Sequence, residues 1–145
     1  MTVGAVLDFK NKGGHPDGLI NDKSATSNVA NYEKWNRGAK HKWITKDIAS
    51  KLPRIGTTSE MEAKDVKVHL KLFNPTGAGS WFITEANLDT GEAFGYADLG
   101  DPDNAELGYM DLNELRSFKG RFGLGIERDE SFSATLEEVM SRKRT

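Results

Sequence analysis

Four acidic side chains stand where carboxylates could support acid–base chemistry: Glu85, Glu106, Glu127 and Asp129. Two carboxylates can act as general acid and general base when their surroundings push the two pKa values apart. In a strand, Glu127 and Asp129 would share one face, with Arg128 on the other face. A metal-dependent hydrolase that uses these acids is therefore one interpretation of the sequence.

The triplet Glu127-Arg128-Asp129 also has a structural interpretation, which we favour. An arginine between two carboxylates can build a buried or half-buried network of charged hydrogen bonds that holds strands together. No oxyanion-stabilising element and no cofactor motif accompanies these acids. We therefore predict that Glu127, Arg128 and Asp129 form a structural network and that the chain has no catalytic residue.

Neither a metal site nor a cofactor site is predicted. The acidic loop from Asp98 to Glu106 has the oxygen density of a calcium site, but its register is not that of an EF-hand. The sixth position from Asp101 is not glycine, and Leu112 occupies the position of the bidentate glutamate. The absence of cysteine excludes disulfides, thiolate zinc sites and iron–sulfur clusters. Three histidines lie in separate segments without the spacing of a zinc motif: His15, His41 and His69.

A second group of residues mixes cations with aromatic rings. Such a mixture can stack on bases and meet phosphates in a single-stranded nucleic acid. Its two tryptophans could equally anchor the segment onto the rest of the chain or onto a partner protein, where tryptophan is a favoured hot spot. We predict that this segment is the binding surface, and both kinds of partner stay open. Its members are Tyr32, Lys34, Trp35, Arg37, Lys40, His41, Lys42 and Trp43.

Length and charge set further bounds on the protein. A chain of 145 residues fits one domain with its own core. Residues 1–55 carry a net charge of +5 and residues 56–140 a net charge of −10, a split that can mark a basic arm on an acidic body. No apolar run approaches the ~20 residues of a membrane span. We therefore predict no membrane contact and a cytoplasmic location.

The elements that would position these residues follow from hydrophobic periodicity and turn chemistry. Residues 1–42 show no lasting period, which predicts an irregular basic arm ahead of a domain over residues 43–145. Thr45, Asp111 and Thr135 are predicted to cap short helices. The expected fold is a single α+β domain with an antiparallel meander sheet of four or five strands and two or three short helices. The predicted strands are Val66 to Phe73, Trp81 to Leu88, Glu92 to Leu99, Glu106 to Met110 and Gly125 to Phe132.

The order of short motifs within the domain resembles a known family. The motifs are Leu52-Pro53, Lys71 to Pro75, Trp81 to Glu85, Phe94-Gly95, Glu106 to Tyr109 and Gly123 to Phe132. Together they are similar to the domain-of-unknown-function family numbered 2958, over residues of about 43–138. Gly125 stands where that family usually has proline, and residues 1–42 have no counterpart in it.

The resemblance implies a gene carried by phages, plasmids or integrative elements, and it implies no activity, cofactor or catalytic residue. We therefore predict a small non-enzymatic binding protein of a phage or mobile element. It would inhibit a host defence complex, of the anti-CRISPR or anti-restriction type, by protein–protein contact. The first alternative is a nucleic-acid-binding accessory protein that uses residues 32–46. The second alternative is a metal-dependent hydrolase that uses the motif carboxylates.

Overall fold

Five strands form one antiparallel sheet, and two short strands pair beside it. The computed structural model describes residues 28–39 and 41–142, so the predictions for residues 1–27 and for Lys40 lie outside the described residues. The large sheet has the strand order β5-β4-β3-β2-β6, and β1 pairs with β7. The predicted α+β fold is confirmed. In chain order the strands are β1 (Lys67–Val68), β2 (Leu70–Phe73), β3 (Ser80–Asn87), β4 (Glu92–Asp98), β5 (Glu106–Asp111), β6 (Glu127–Arg128) and β7 (Ala134–Thr135).

Three short α-helices begin next to the residues predicted to cap them. The hydroxyl of Thr45 accepts a hydrogen bond from the backbone N–H of Ile48 at 3.1 Å. The carboxylate of Asp111 accepts one from the N–H two residues further on, at 2.8 Å. Thr135 and Glu138 each accept the other's backbone N–H, at 3.2 and 2.8 Å, which is a capping box. The helices are α1 (Lys46–Lys51), α2 (Leu112–Ser117) and α3 (Leu136–Arg142).

Two of the predicted strands are shorter than expected. The strand predicted from Val66 to Phe73 divides at His69, because β1 pairs with β7 whereas β2 pairs with β3. Alternation along the chain fits either pairing, so it does not reveal where the chain changes partner. The strand predicted from Gly125 to Phe132 shrinks to β6, because the carboxylate of Asp129 accepts the N–H of Ser131 at 3.1 Å and starts a turn.

The core has one cluster of buried side chains on each face of the sheet. Successive residues of β3 point to opposite faces, and Phe82 and Ile83 accordingly belong to different clusters. The first cluster also holds Trp43 and Leu112, so residues 35–52 and helix α2 cover that face. The second cluster also holds Leu136, so helix α3 covers the other face. Among the helices that the structure describes, none has the length and apolar character needed to cross a bilayer.

Residues 28–36 are helical and pack onto the sheet, so this part of the predicted arm is not irregular. They form a run of 3₁₀ turns with a kink at Asn31. The buried Asn28 donates from Nδ2 to the carbonyls of Leu52 and Ala86 at 2.9 and 3.0 Å, and its Oδ1 accepts the N–H of Leu88 at 2.9 Å. The domain boundary at residue 43 stays a prediction, but the core draws side chains from before it.

Candidate binding site

The two tryptophans of the predicted binding segment lie in the core. Trp35 is 4% exposed and Trp43 is fully buried. Each indole N–H donates to a backbone carbonyl at 2.8 Å, Trp35 to Leu88 and Trp43 to Ile126. Stacking on a nucleic-acid base requires an open ring face, so neither tryptophan can serve as a stacking platform in this fold. Of the roles considered for them, the structure shows anchoring onto the chain itself.

The other members of the segment lie around these rings. Tyr32 is half-buried and packs against the first core cluster. Lys34 donates to the carbonyl of Asp89 at 2.8 Å, and its ammonium lies 5.3 Å from the centroid of the Trp35 ring. The structure does not describe Lys40. The remaining basic residues are exposed on the surface: Arg37, His41 and Lys42.

The triplet Glu127-Arg128-Asp129 is half-buried, but its charged partners differ from those predicted. Arg128 donates from Nε to the carbonyl of Lys42 at 3.0 Å. Asp129 pairs with Lys71, with 3.3 Å between Oδ2 and Nζ. Among the described residues, this triplet makes an arginine–carbonyl bond and a lysine–carboxylate pair, and the predicted Arg–carboxylate network stays a prediction. Both contacts still tie β6 to neighbouring segments.

The Lys71–Asp129 pair is held firmly in place. The Lys71 ammonium lies 5.5 Å from the ring centroid of Phe82 and 5.3 Å from that of Phe132, within cation–π range. Burial acts to raise the pKa of Asp129, but hydrogen bonds from Ser131 and the charge of Lys71 together outweigh it, so this pKa lies below its usual value. Asp129 therefore stays ionised and paired at neutral pH.

Two cavities meet at this pair, and we call them together the β6 groove. The larger has a volume of about 690 Å³ and includes the exposed His41. The smaller has a volume of about 240 Å³ and includes His69. Burial lowers the pKa of His69, with further lowering by the charges of Lys67 and Lys51. Four residues line both cavities: Lys71, Arg128, Asp129 and Glu130.

Three of the carboxylates considered for catalysis lie apart from one another: Glu85, Glu106 and Glu127. Glu85 is fully buried, and its two oxygens accept the backbone N–H groups of Gly56 and Thr58 at 2.8 and 2.7 Å and the Thr58 hydroxyl at 2.5 Å. Glu106 lies on β5 and Glu127 on β6, the two opposite edges of the sheet. Within the described ranges, no group of three or more His, Asp or Glu side chains is placed to hold a metal ion. Glu127 and Asp129 line one cavity together, whereas Glu85 and Glu106 are not among its lining residues.

Comparison with known proteins places the chain in a family. The family model described as Protein of unknown function (DUF2958) matches residues 43–141. The chain is a member of the DUF2958 family. Neither the curated proteins nor the solved structures contain a match to it.

Apart from His41, the residues that line the β6 groove lie within the DUF2958 match. The motif from Gly123 to Phe132 supplies β6 and the turn that follows it. The match starts at Trp43, so the segment that carries Asn28 and Trp35 precedes it. His69 and Lys71 were not predicted as site residues. Their alternation with Val68 and Leu70 indicated that they point away from the core, but it could not indicate that β6 lies beside them.

Proposed function

We propose that this protein is a non-catalytic binding protein and that the β6 groove contacts a partner protein. The observation that carries the proposal is the set of charges in the groove. Lys71 and Asp129 are paired with each other, and Arg128 is bonded to a backbone carbonyl. Side chains held in this way suit recognition of a complementary surface, since little of their freedom is lost on binding.

A protein partner fits the groove better than a nucleic acid does. Lys71 and Arg128 line the groove together with the acids Glu127, Asp129 and Glu130, so its charge is mixed. A backbone of phosphates favours a groove of positive charge and aromatic rings for its bases. Residues 56–140 carry a net charge of −10, which would repel phosphates.

We further propose that the partner belongs to a host defence complex of the CRISPR or restriction type, and that the gene travels with a phage or mobile element. This part of the proposal rests on the kind of genetic element that the family resemblance implies for the gene, namely a phage, a plasmid or an integrative element. An inhibitor of this type does not need a catalytic activity. A small domain that covers a working surface of the complex is sufficient.

Phage plating on defended hosts tests the proposal. The full chain would be expressed in strains that carry one CRISPR or restriction system each, and the plating efficiency of a targeted phage would be measured. Glu130 is exposed and lines both cavities, so Glu130→Lys should abolish protection without loss of fold. Glu60→Lys, an exposed position outside both cavities, makes the same charge change and should leave protection intact.

Two results would contradict the proposal. Equal protection by wild type and by Glu130→Lys would show that the groove is not part of the interface. Unchanged plating across all defended strains, together with salt-sensitive binding of the wild type to single-stranded DNA or RNA, would favour the nucleic-acid alternative. Fluorescence anisotropy with labelled oligonucleotides at low and physiological salt measures that binding.

A further inference from the structure

The smaller cavity of the β6 groove collects basic side chains from three neighbouring parts of the fold. Helix α1 contributes one, the segment that carries β1 and β2 contributes three at alternate positions, and β6 contributes one. Cations gathered in a cleft raise the local concentration of anions. The basic residues that line the cavity are Lys51, Lys67, His69, Lys71 and Arg128.

Three acidic side chains line the same cavity, and two of them are paired. The carboxylate of Asp47 lies 3.2 Å from the ammonium of Lys51, and that of Asp129 lies 3.3 Å from the ammonium of Lys71. The third acid is the exposed Glu130. The lining therefore holds four lysine and arginine charges against three carboxylates, which leaves a net positive charge before the histidine takes up a proton.

Lys67 and Arg128 can direct donors at a ligand. Lys67 is exposed, and among the described residues no carboxylate lies within ion-pair distance of its ammonium. Arg128 uses Nε for the carbonyl of Lys42. The other N–H donors of a guanidinium sit on its terminal nitrogens, in a planar fork that matches phosphate oxygens.

His69 lies in the positive field of this cavity. Burial is the main cause that lowers its pKa, and the charges of Lys67 and Lys51 lower it further. Two ammonium groups from different elements therefore act on the imidazole. A bound dianion would act in the opposite direction, because it favours the protonated ring. The other charged groups that line the cavity with His69 are Asp47, Lys71, Arg128, Asp129 and Glu130.

We propose that the smaller cavity binds one phosphate group, carried by a phosphate monoester. Its volume of about 240 Å³ is below the roughly 300 Å³ at which pockets for drug-sized ligands begin, so it suits a single small group. A phosphate group offers three strong acceptor oxygens, which suit donors that arrive from α1, β1 and β6. The inference goes beyond the proposed function, since a phosphate group can fill the cavity without a partner protein.

Nuclear magnetic resonance of the full chain in sodium sulfate tests the site. Sulfate is a tetrahedral dianion whose charge is constant between about pH 5 and pH 8, so only the protein titrates. Sodium chloride of equal ionic strength controls for screening. The imidazole signal that His69→Gln removes should titrate at higher pH in sulfate than in chloride. An equal midpoint in the two salts would overturn the proposal.

Charge substitutions at exposed positions locate the site. Lys67→Gln should weaken the binding of inorganic phosphate about fivefold or more, measured by the shifts of the β1 and β2 amide resonances. Lys64→Gln removes the same charge at an exposed position outside the cavity and should retain the affinity. Equal affinity of the two variants would refute the site.

Two further comparisons identify the ligand and its source. Acetate at equal ionic strength should bind more weakly than phosphate, and equal binding would refute a phosphate site. Free phosphoserine and a short peptide with a central phosphoserine are then compared. Tighter binding of the peptide would assign the phosphate group to a protein, and tighter or equal binding of free phosphoserine would assign it to a small molecule. Binding of neither would overturn the proposal.

Glu130→Lys separates this site from the proposed function. The added cation should strengthen phosphate binding, whereas the same substitution should abolish protection in the plating assay. Weaker phosphate binding by Glu130→Lys would contradict the phosphate site. Unchanged protection by this variant would contradict only the proposed function.

Discussion

Replacement of Trp35 by alanine separates the buried anchor from a nucleic-acid platform. The side chain is 4% exposed, packs in the first core cluster and donates its N–H to the Leu88 carbonyl at 2.8 Å. Its ring also lies against the turn at Gly91, where a methyl group would come within 2.8 Å of it. Truncation of a buried tryptophan to alanine costs about 3–5 kcal/mol. For a domain near this size that loss lowers the melting temperature by about 10 °C or more.

Urea unfolding followed by circular dichroism measures this loss, and Trp35→Phe serves as the matched variant. Phenylalanine keeps most of the ring but leaves the Leu88 carbonyl without its donor, so Trp35→Phe should cost about 1–3 kcal/mol. An alanine variant that unfolds within about 1 kcal/mol of the wild type would refute the burial argument, because changes of that size are typical of surface positions. Loss of nucleic-acid binding by such a stable variant would instead assign the ring to a binding surface.

Three further predictions concern the segment before residue 43, His69 and Glu85. A chain that starts at Trp43 should unfold at a lower urea concentration than the full chain, and equal stability of the two chains would show that the domain is complete from residue 43. Asn28→Ala alone should lower the free energy of unfolding by about 3 kcal/mol, because three buried backbone groups lose their partner. The lowered pKa of His69 means that the folded state binds fewer protons than the unfolded state, so stability is complete above the unfolded pKa of about 6.5 and falls as pH drops below it. His69→Gln should reduce the fall of the melting temperature between about pH 7 and pH 5. An unchanged pH dependence would show that His69 does not cause this fall. Glu85→Gln should lower the free energy of unfolding by about 1–3 kcal/mol. Both oxygens of Glu85 accept backbone N–H groups, so the NH₂ group of glutamine would face another donor in either orientation. The exposed Glu106→Gln should leave the urea midpoint unchanged.

Features decided by neighbouring residues could be predicted from the sequence. Thr45, Asp111 and Thr135 cap their helices through hydrogen bonds that reach two or three positions along the chain. The hairpins from β2 to β5 follow from alternation interrupted by short turns. In both cases the chemistry that determines the structure lies within a few residues of it.

Features that depend on distant partners could not be predicted in the same way. Trp43 bonds to Ile126 across 83 positions, and Arg128 bonds to Lys42 across 86. The local sequence of a tryptophan beside lysines is the same whether the ring is buried or exposed, so the sequence pattern could not decide between burial and exposure. The β6 groove escaped prediction for the same reason, since it forms where β2 and β6 meet. The proposed partner of the groove stays a prediction.

The strand order has a consequence for how the chain folds as it is synthesised. Strands β2 to β5 join by short connections, so the entropy lost in closing their loops is small and they can associate early. The outer side of β2 must wait for Glu127 and Arg128, and β1 must wait for Ala134 and Thr135. Until those residues leave the ribosome, β2 presents an unpaired edge to neighbouring chains. Chains that end between residues 111 and 127, made from truncated mRNAs, should therefore aggregate.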